Sequence, residues 1–110
     1  MAKFLFQASY AAEGIKGLEK DKASGRKAAP SKAVENLGGK LEALYWAFGE
    51  HDWVLLADLP DNASAAAFSL AVSRSGLLRV TTTSLVSAEE MDMALQKKPN
   101  FQAPGQFTGG

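Results

Sequence analysis

The stretch 41-LEALYWAFGEHDWVLLADL-59, from Leu41 to Leu59, decides the architecture of this chain. Two apolar runs, each about one strand long, flank the polar insert Gly49-Glu50-His51-Asp52. Aromatic, aliphatic and β-branched residues on either side of a turn containing Gly and Asp are the sequence form of a β-hairpin. With an even loop, Phe48 is expected opposite Trp53, Trp46 opposite Leu55 and Leu44 opposite Ala57. Leu41, Ala43, Tyr45 and Ala47 then share the other face with Val54 and Leu56. An odd loop would exchange the faces of one strand. In either register both faces are apolar, whereas a strand wetted on one side alternates apolar with polar. The hairpin calls for cover on both sides.

Upstream, Lys3–Tyr10 alternates, with Phe4, Phe6, Ala8 and Tyr10 on one face, and reads as a first strand. Ala11–Lys20 carries Ile15 and Leu18 at helical spacing, weakened by Gly14 and Gly17, and Lys22–Gly25 is a polar break. A second helical stretch follows through Ala33, Val34 and Leu37, capped by Ser24 or starting at Pro30, and Gly38-Gly39 ends it. An interior proline would instead kink it.

Downstream, Asp61 is placed to cap a helix over Ala63–Ser75 with the stripe Ala67, Phe68, Ala71 and Val72, and Gly76 stops it. Leu78–Val86 is a last strand. Ser87 followed by Glu90 fits a capping box opening a short helix with Met91, Met93, Ala94 and Leu95. Residues 1–98 read as one domain, and 99–110, with Pro104-Gly105 and no periodicity, as a flexible tail.

The order β-α-β-β-α-β with a terminal helix is the split βαβ pattern, an α+β ferredoxin-like fold. Its helices cover one face of a four-stranded antiparallel sheet. A bare second face carrying residues such as Trp, Phe, Tyr or Leu would exceed what soluble monomers usually expose. The expected remedy is a homodimer in which two sheets pack face to face.

Composition narrows the function classes. The chain has 110 residues, 12 basic and 12 acidic, so no overall field draws it to nucleic acid or an anionic membrane. It has no cysteine and one histidine, which removes disulfides, thiol chemistry and Cys/His zinc sites, and no metal or cofactor is expected. There is no phosphate-cradling Gly-rich loop and no nucleophile elbow. The N-terminal Phe4-Leu5-Phe6 is too short for a signal core, and no run approaches the ~20 apolar residues of a membrane span. The expected compartment is the cytoplasm. Lys16, Lys20, Lys22, Arg26, Lys27 and Lys32 form a basic stretch diluted by Glu19 and Asp21, which reads as a solvated helix face rather than a phosphate site.

Leu37-Gly38-Gly39-Lys40-Leu41, Tyr45-Trp46, Phe48-Gly49-Glu50-His51-Asp52 and Leu59-Pro60-Asp61-Asn62 resemble the GYD domain family, small bacterial proteins named for a Gly-x-Tyr-Asp-like signature at this hairpin. The resemblance runs from Tyr10 to the capping box at Ser87. It implies a fold similar to the dimeric α/β-barrel, ferredoxin-like group, and it implies no settled activity. His51 stands where the signature has tyrosine, and Pro30 falls inside the family's first long helix.

Two sets of residues are candidates for function. His51 with Asp52, beside Glu50, is the one titratable cluster, in which a carboxylate could orient an imidazole that holds a proton near neutral pH. The plainer reading is that Gly49 and Asp52 shape the turn while His51 faces solvent. Tyr10, Tyr45, Trp46 and Trp53 could line a pocket for a flat apolar or aromatic ligand, of the kind that dimeric barrels hold between sheet and helices. The plainer reading makes them core or dimer interface. Phe101 and Phe107 in the tail could cover a cleft or a partner. The leading reading is a non-catalytic dimeric domain that binds a ligand or partner. The alternatives are a cofactor-independent enzyme of monooxygenase or isomerase type with His51 as base, and an effector-sensing module acting with a separate DNA-binding partner.

Overall fold

The alternation of Phe4, Phe6 and Ala8 with Leu5 and Gln7 sends every second side chain of the first strand to one face, where all three are buried. That face is the core. In the computed structural model, which describes residues 1–105, the elements in order are β1 (Ala2–Tyr10), α1 (Ala12–Asn36), β2 (Lys40–Trp46), β3 (Trp53–Leu59), α2 (Asn62–Arg74), β4 (Leu78–Leu85) and α3 (Ala88–Gln96). The sheet has four antiparallel strands in the order β2-β3-β1-β4, the ferredoxin-like arrangement expected from the element order. Val34 of α1 and Ala65 and Phe68 of α2 are buried in one cluster with Phe4, Phe6, Leu55 and Leu59, so both crossover helices lie on the same face. Phe6 and Phe68 meet edge-on at a centroid distance of 4.7 Å, joining sheet to helix.

The hairpin departs from its expected register. β2 ends at Trp46 and β3 begins at Trp53, with Trp46 opposite Trp53 and Leu44 opposite Leu55, and Phe48 is fully exposed in the loop. The shift is by two residues, so Trp46, Leu44, Trp53 and Leu55 still share a face. Asp52 holds that register from both sides: its N–H donates to Ala8 O (2.7 Å) and its carbonyl accepts from Ala47 N (2.8 Å), extending the pairing one step beyond Trp46 and Trp53. A bulge between Leu41 and Ala43 then returns Leu41 opposite Ala57 and turns it to the helix face, against the core.

Two further expectations are corrected. α1 runs from Ala12 to Asn36 with Pro30 in its interior, and the break falls at Lys22, where φ is 64° and ψ 159°. The expected polar break at Lys22–Gly25 is thus present but only one residue long, and the second helical half begins directly after it rather than at Ser24 or Pro30. On α2 Ala65 and Phe68 are buried and Val72 packs half-buried beside them, whereas Ala67 and Ala71 are exposed. The i, i+3, i+7 spacing through Phe68 sets the helix about its axis, so that Ala67 turns outward and Ala71 lies at the edge of the buried stripe.

Caps follow the sequence closely. Asp61 accepts from Ser64 N at 2.8 Å, and Ser87 and Glu90 form the reciprocal capping box. Gly38, at φ 83°, closes α1, and Gly39 N donates to Val34 O at 3.0 Å. α3 has no buried residue, and the molecule measures 65 × 30 × 23 Å with a radius of gyration of 18.1 Å, against about 13 Å for a packed chain of this size. No helix of the described residues is long and apolar enough to cross a membrane.

Candidate functional site

The break in α1 has a consequence for the face it covers. A straight helix would lie along the sheet, but the turn at Lys22 divides α1 and leaves a cleft of about 310 Å³ between both of its halves, α2 and the β2-β3-β1 surface. Trp46 and Trp53 of the hairpin, Tyr10 at the end of β1, Leu18 and Pro30 of α1 and Val72 of α2 are among its walls. Pro30 cannot donate to the Arg26 carbonyl a turn earlier, which loosens the ladder on the second half of the helix.

Glycines shape the roof. A side chain on Gly14 would run into the carbonyl oxygen of Leu77 and come within 3.0 Å of the Tyr10 ring, so this turn of α1 rests directly on the α2–β4 loop and on Tyr10. Gly17, one turn on, has nothing within 4 Å of where a Cβ would stand, and it lines the cleft. Both residues were legible only as weak points of a helix. Glycine costs a helix stability, so two of them three apart in α1 were the available signal that packing, not propensity, sets these positions.

The aromatic candidates separate by strand parity. Tyr10, Trp46 and Trp53 converge at the cleft, where the indole Nε1–H of Trp46 donates to the Tyr10 hydroxyl oxygen at 3.2 Å. Tyr45 points to the opposite face of the sheet and is 71% exposed. At the cleft margin Arg26 Nη1 lies 3.7 Å from Asp21 Oδ2, one residue on each side of the break.

His51 and Asp52 do not form a pair. The Asp52 carboxylate accepts from Tyr10 N at 2.7 Å, standing in for a main-chain carbonyl beyond the first residue of β3. Ser9 Oγ donates to Glu50 O at 3.1 Å, so the loop is sewn to β1 on both sides of His51. The His51 imidazole has no hydrogen bond or ion pair among the described residues and is not among the cleft-lining side chains. No group of three or more His, Asp or Glu able to hold a metal occurs among the described residues. Phe101 is exposed, and Phe107 lies outside the described residues.

The whole of this arrangement, from the first core residue of β1 to the last turn of α3, falls under one family model, that of the GYD domain, which matches residues 4–95. The chain belongs to the GYD domain family. No curated protein and no solved structure matches it. The GYD domain model takes in the hairpin, the broken helix and the cleft between them, and it leaves 96–110 outside.

Proposed function

We propose that this GYD domain is a ligand-binding module whose site is the cleft between the broken α1 and the sheet, and that it works as a homodimer joined through the other face of the sheet. The observation that carries the first part is the cleft itself: about 310 Å³, at the small end of the roughly 300–1,000 Å³ of ligand pockets, walled by two indoles and a phenol. A fully packed core would have left no such volume under a long helix. Both tryptophans of the chain line it, so intrinsic fluorescence reports occupancy directly.

The second part is supported by the opposite face. Leu5, Ala43, Val54 and Leu56 lie there partly exposed beside Tyr45, and Lys3 forms ion pairs with Glu42 (2.6 Å) and Asp58 (2.9 Å) at one end of the patch. An apolar centre with a polar border suits an isologous contact.

The test is a thermal-shift screen against small ring-containing metabolites, followed by tryptophan-fluorescence titration of each hit. Gly17→Phe should abolish binding, because its ring enters the cleft, while Gly17→Ala retains it. A hit that binds Gly17→Phe as tightly as the unaltered chain would place the ligand elsewhere and end this reading. The half-buried His51 imidazole lies outside the cleft and has no hydrogen-bond partner among the described residues, so nothing places it to move a proton of a ligand held there.

A further inference from the structure

We infer that the cleft selects planar, uncharged ring compounds bearing a hydrogen-bond acceptor, such as aryl ketones, and that the Tyr10 hydroxyl is the donor that selects them; this rests on the ligand-binding reading above. An indole N–H can only donate, so in the 3.2 Å contact with Trp46 the Tyr10 oxygen must be the acceptor. The phenol's own O–H is thereby turned away from Trp46 and has no acceptor among the described residues. Tyr10 is partly buried and lines the cleft, so the free donor belongs to the wall of an apolar space.

The position of that phenol is fixed along its length. Its backbone N–H is held by the Asp52 carboxylate at 2.7 Å, and its ring edge lies so near Gly14 that a Cβ added there would come within 3.0 Å of it. Trp46 is in turn held in the sheet opposite Trp53. A donor held from both sides is prepared for one acceptor at one place, which is how a mainly apolar pocket gains selectivity. The flat faces of the indoles favour a ring, and the volume of about 310 Å³ suits one or two fused rings. Arg26 and Asp21 face each other at the margin, 3.7 Å apart, so their charges offset and neither sign of ligand charge is called for.

The experiment compares 2-acetylnaphthalene with 2-ethylnaphthalene, which share ring system and side-chain size but differ in the carbonyl oxygen. Binding is followed by fluorescence of the two tryptophans in the unaltered chain, in Tyr10→Phe and in Gly17→Phe. The ketone is expected to bind the unaltered chain about tenfold more tightly, the size of one hydrogen bond. Tyr10→Phe should remove that difference by weakening the ketone alone, and Gly17→Phe should block both probes. Equal affinities in the unaltered chain overturn the inference whether or not Tyr10→Phe folds, as does an equal loss for both probes in Tyr10→Phe. If both bind equally and Gly17→Phe blocks both, the ligand-binding reading survives without its selectivity. If neither binds, or if Gly17→Phe blocks neither, both fall together.

Discussion

Asp52 and His51 are neighbours in sequence with opposite fates. The Asp52 carboxylate and amide each take a hydrogen bond across to β1, so it is part of the sheet in all but name. Asp52→Ala is expected to cost about 1–2 kcal/mol in urea unfolding, as the Tyr10 N–H loses a charged acceptor. His51→Ala should leave the unfolding curve unchanged. At the helix start, hydrogen bonding from Ser64, through its side chain and its backbone N–H, holds the Asp61 carboxyl below its usual range. Because the folded value is the lower one, this contribution is complete above the unfolded value near pH 3.9 and is lost as pH falls through the folded one. Asp61→Asn, which keeps a cap but not the charge, should therefore show a shallower fall of Tm on acidification below about pH 5. Lys3 has the opposite sign: hydrogen bonds to Glu42, then Asp58, raise it, so its small exposed contribution is complete below about pH 10.4 and fades as pH rises through the raised value.

At the scale of the element, α1 carries its conformational cost in one place. Lys22, at φ 64° and ψ 159°, lies in an extended positive-φ region that a residue with a Cβ adopts at a cost of roughly 1–3 kcal/mol. Lys22→Gly should raise the unfolding free energy by about 1 kcal/mol. The sign is diagnostic, because glycine in an unbroken helix would lower stability by about the same amount. Gly17→Ala, in a regular part of the helix facing open space, should stabilise by roughly 0.5–1 kcal/mol. Gly14→Ala has the same intrinsic benefit but meets the Leu77 carbonyl, and should destabilise by about 1–3 kcal/mol. The contrast between two glycines one turn apart, read by thermal unfolding, measures how closely the first half of α1 sits on the loop.

The whole molecule is long for its mass, 65 Å along its greatest extent, and it leaves one sheet face and α3 without cover. A nine-residue helix is marginal in water by itself, even with a complete capping box. If the sheet face is covered by a second copy, light scattering should report about 23 kDa, twice the 11.7 kDa of one chain. Leu56→Asp, which sets a charge at the middle of that face, should halve the mass while leaving the far-ultraviolet circular dichroism and the cleft intact. A monomeric mass for the unaltered chain at high concentration would remove the dimer and leave the cleft reading standing, since its walls come from one chain.

Patterns confined to neighbouring residues were decisive on their own: the alternation of Phe4, Phe6 and Ala8, the Asp61 cap, the Ser87–Glu90 box and the order of elements followed from period and capping chemistry, and the four-stranded sheet followed from that order. What depended on distant partners did not. The hairpin register differs by two from the expected one, and Asp52, bonded both to Ala47 after β2 and to β1 more than forty residues away in sequence, belongs to the sheet rather than to the loop. The split of Tyr45 from Trp46 and Trp53 follows strand parity and was already implied by an even loop, whereas the turn of Leu41 to the helix face needed the β2 bulge. The break at Lys22 falls at the start of the polar stretch Lys22–Gly25, but that it opens a cleft under α1 depended on packing. Local periodicity records which face a residue turns to; only packing records whether that face is then filled or left open.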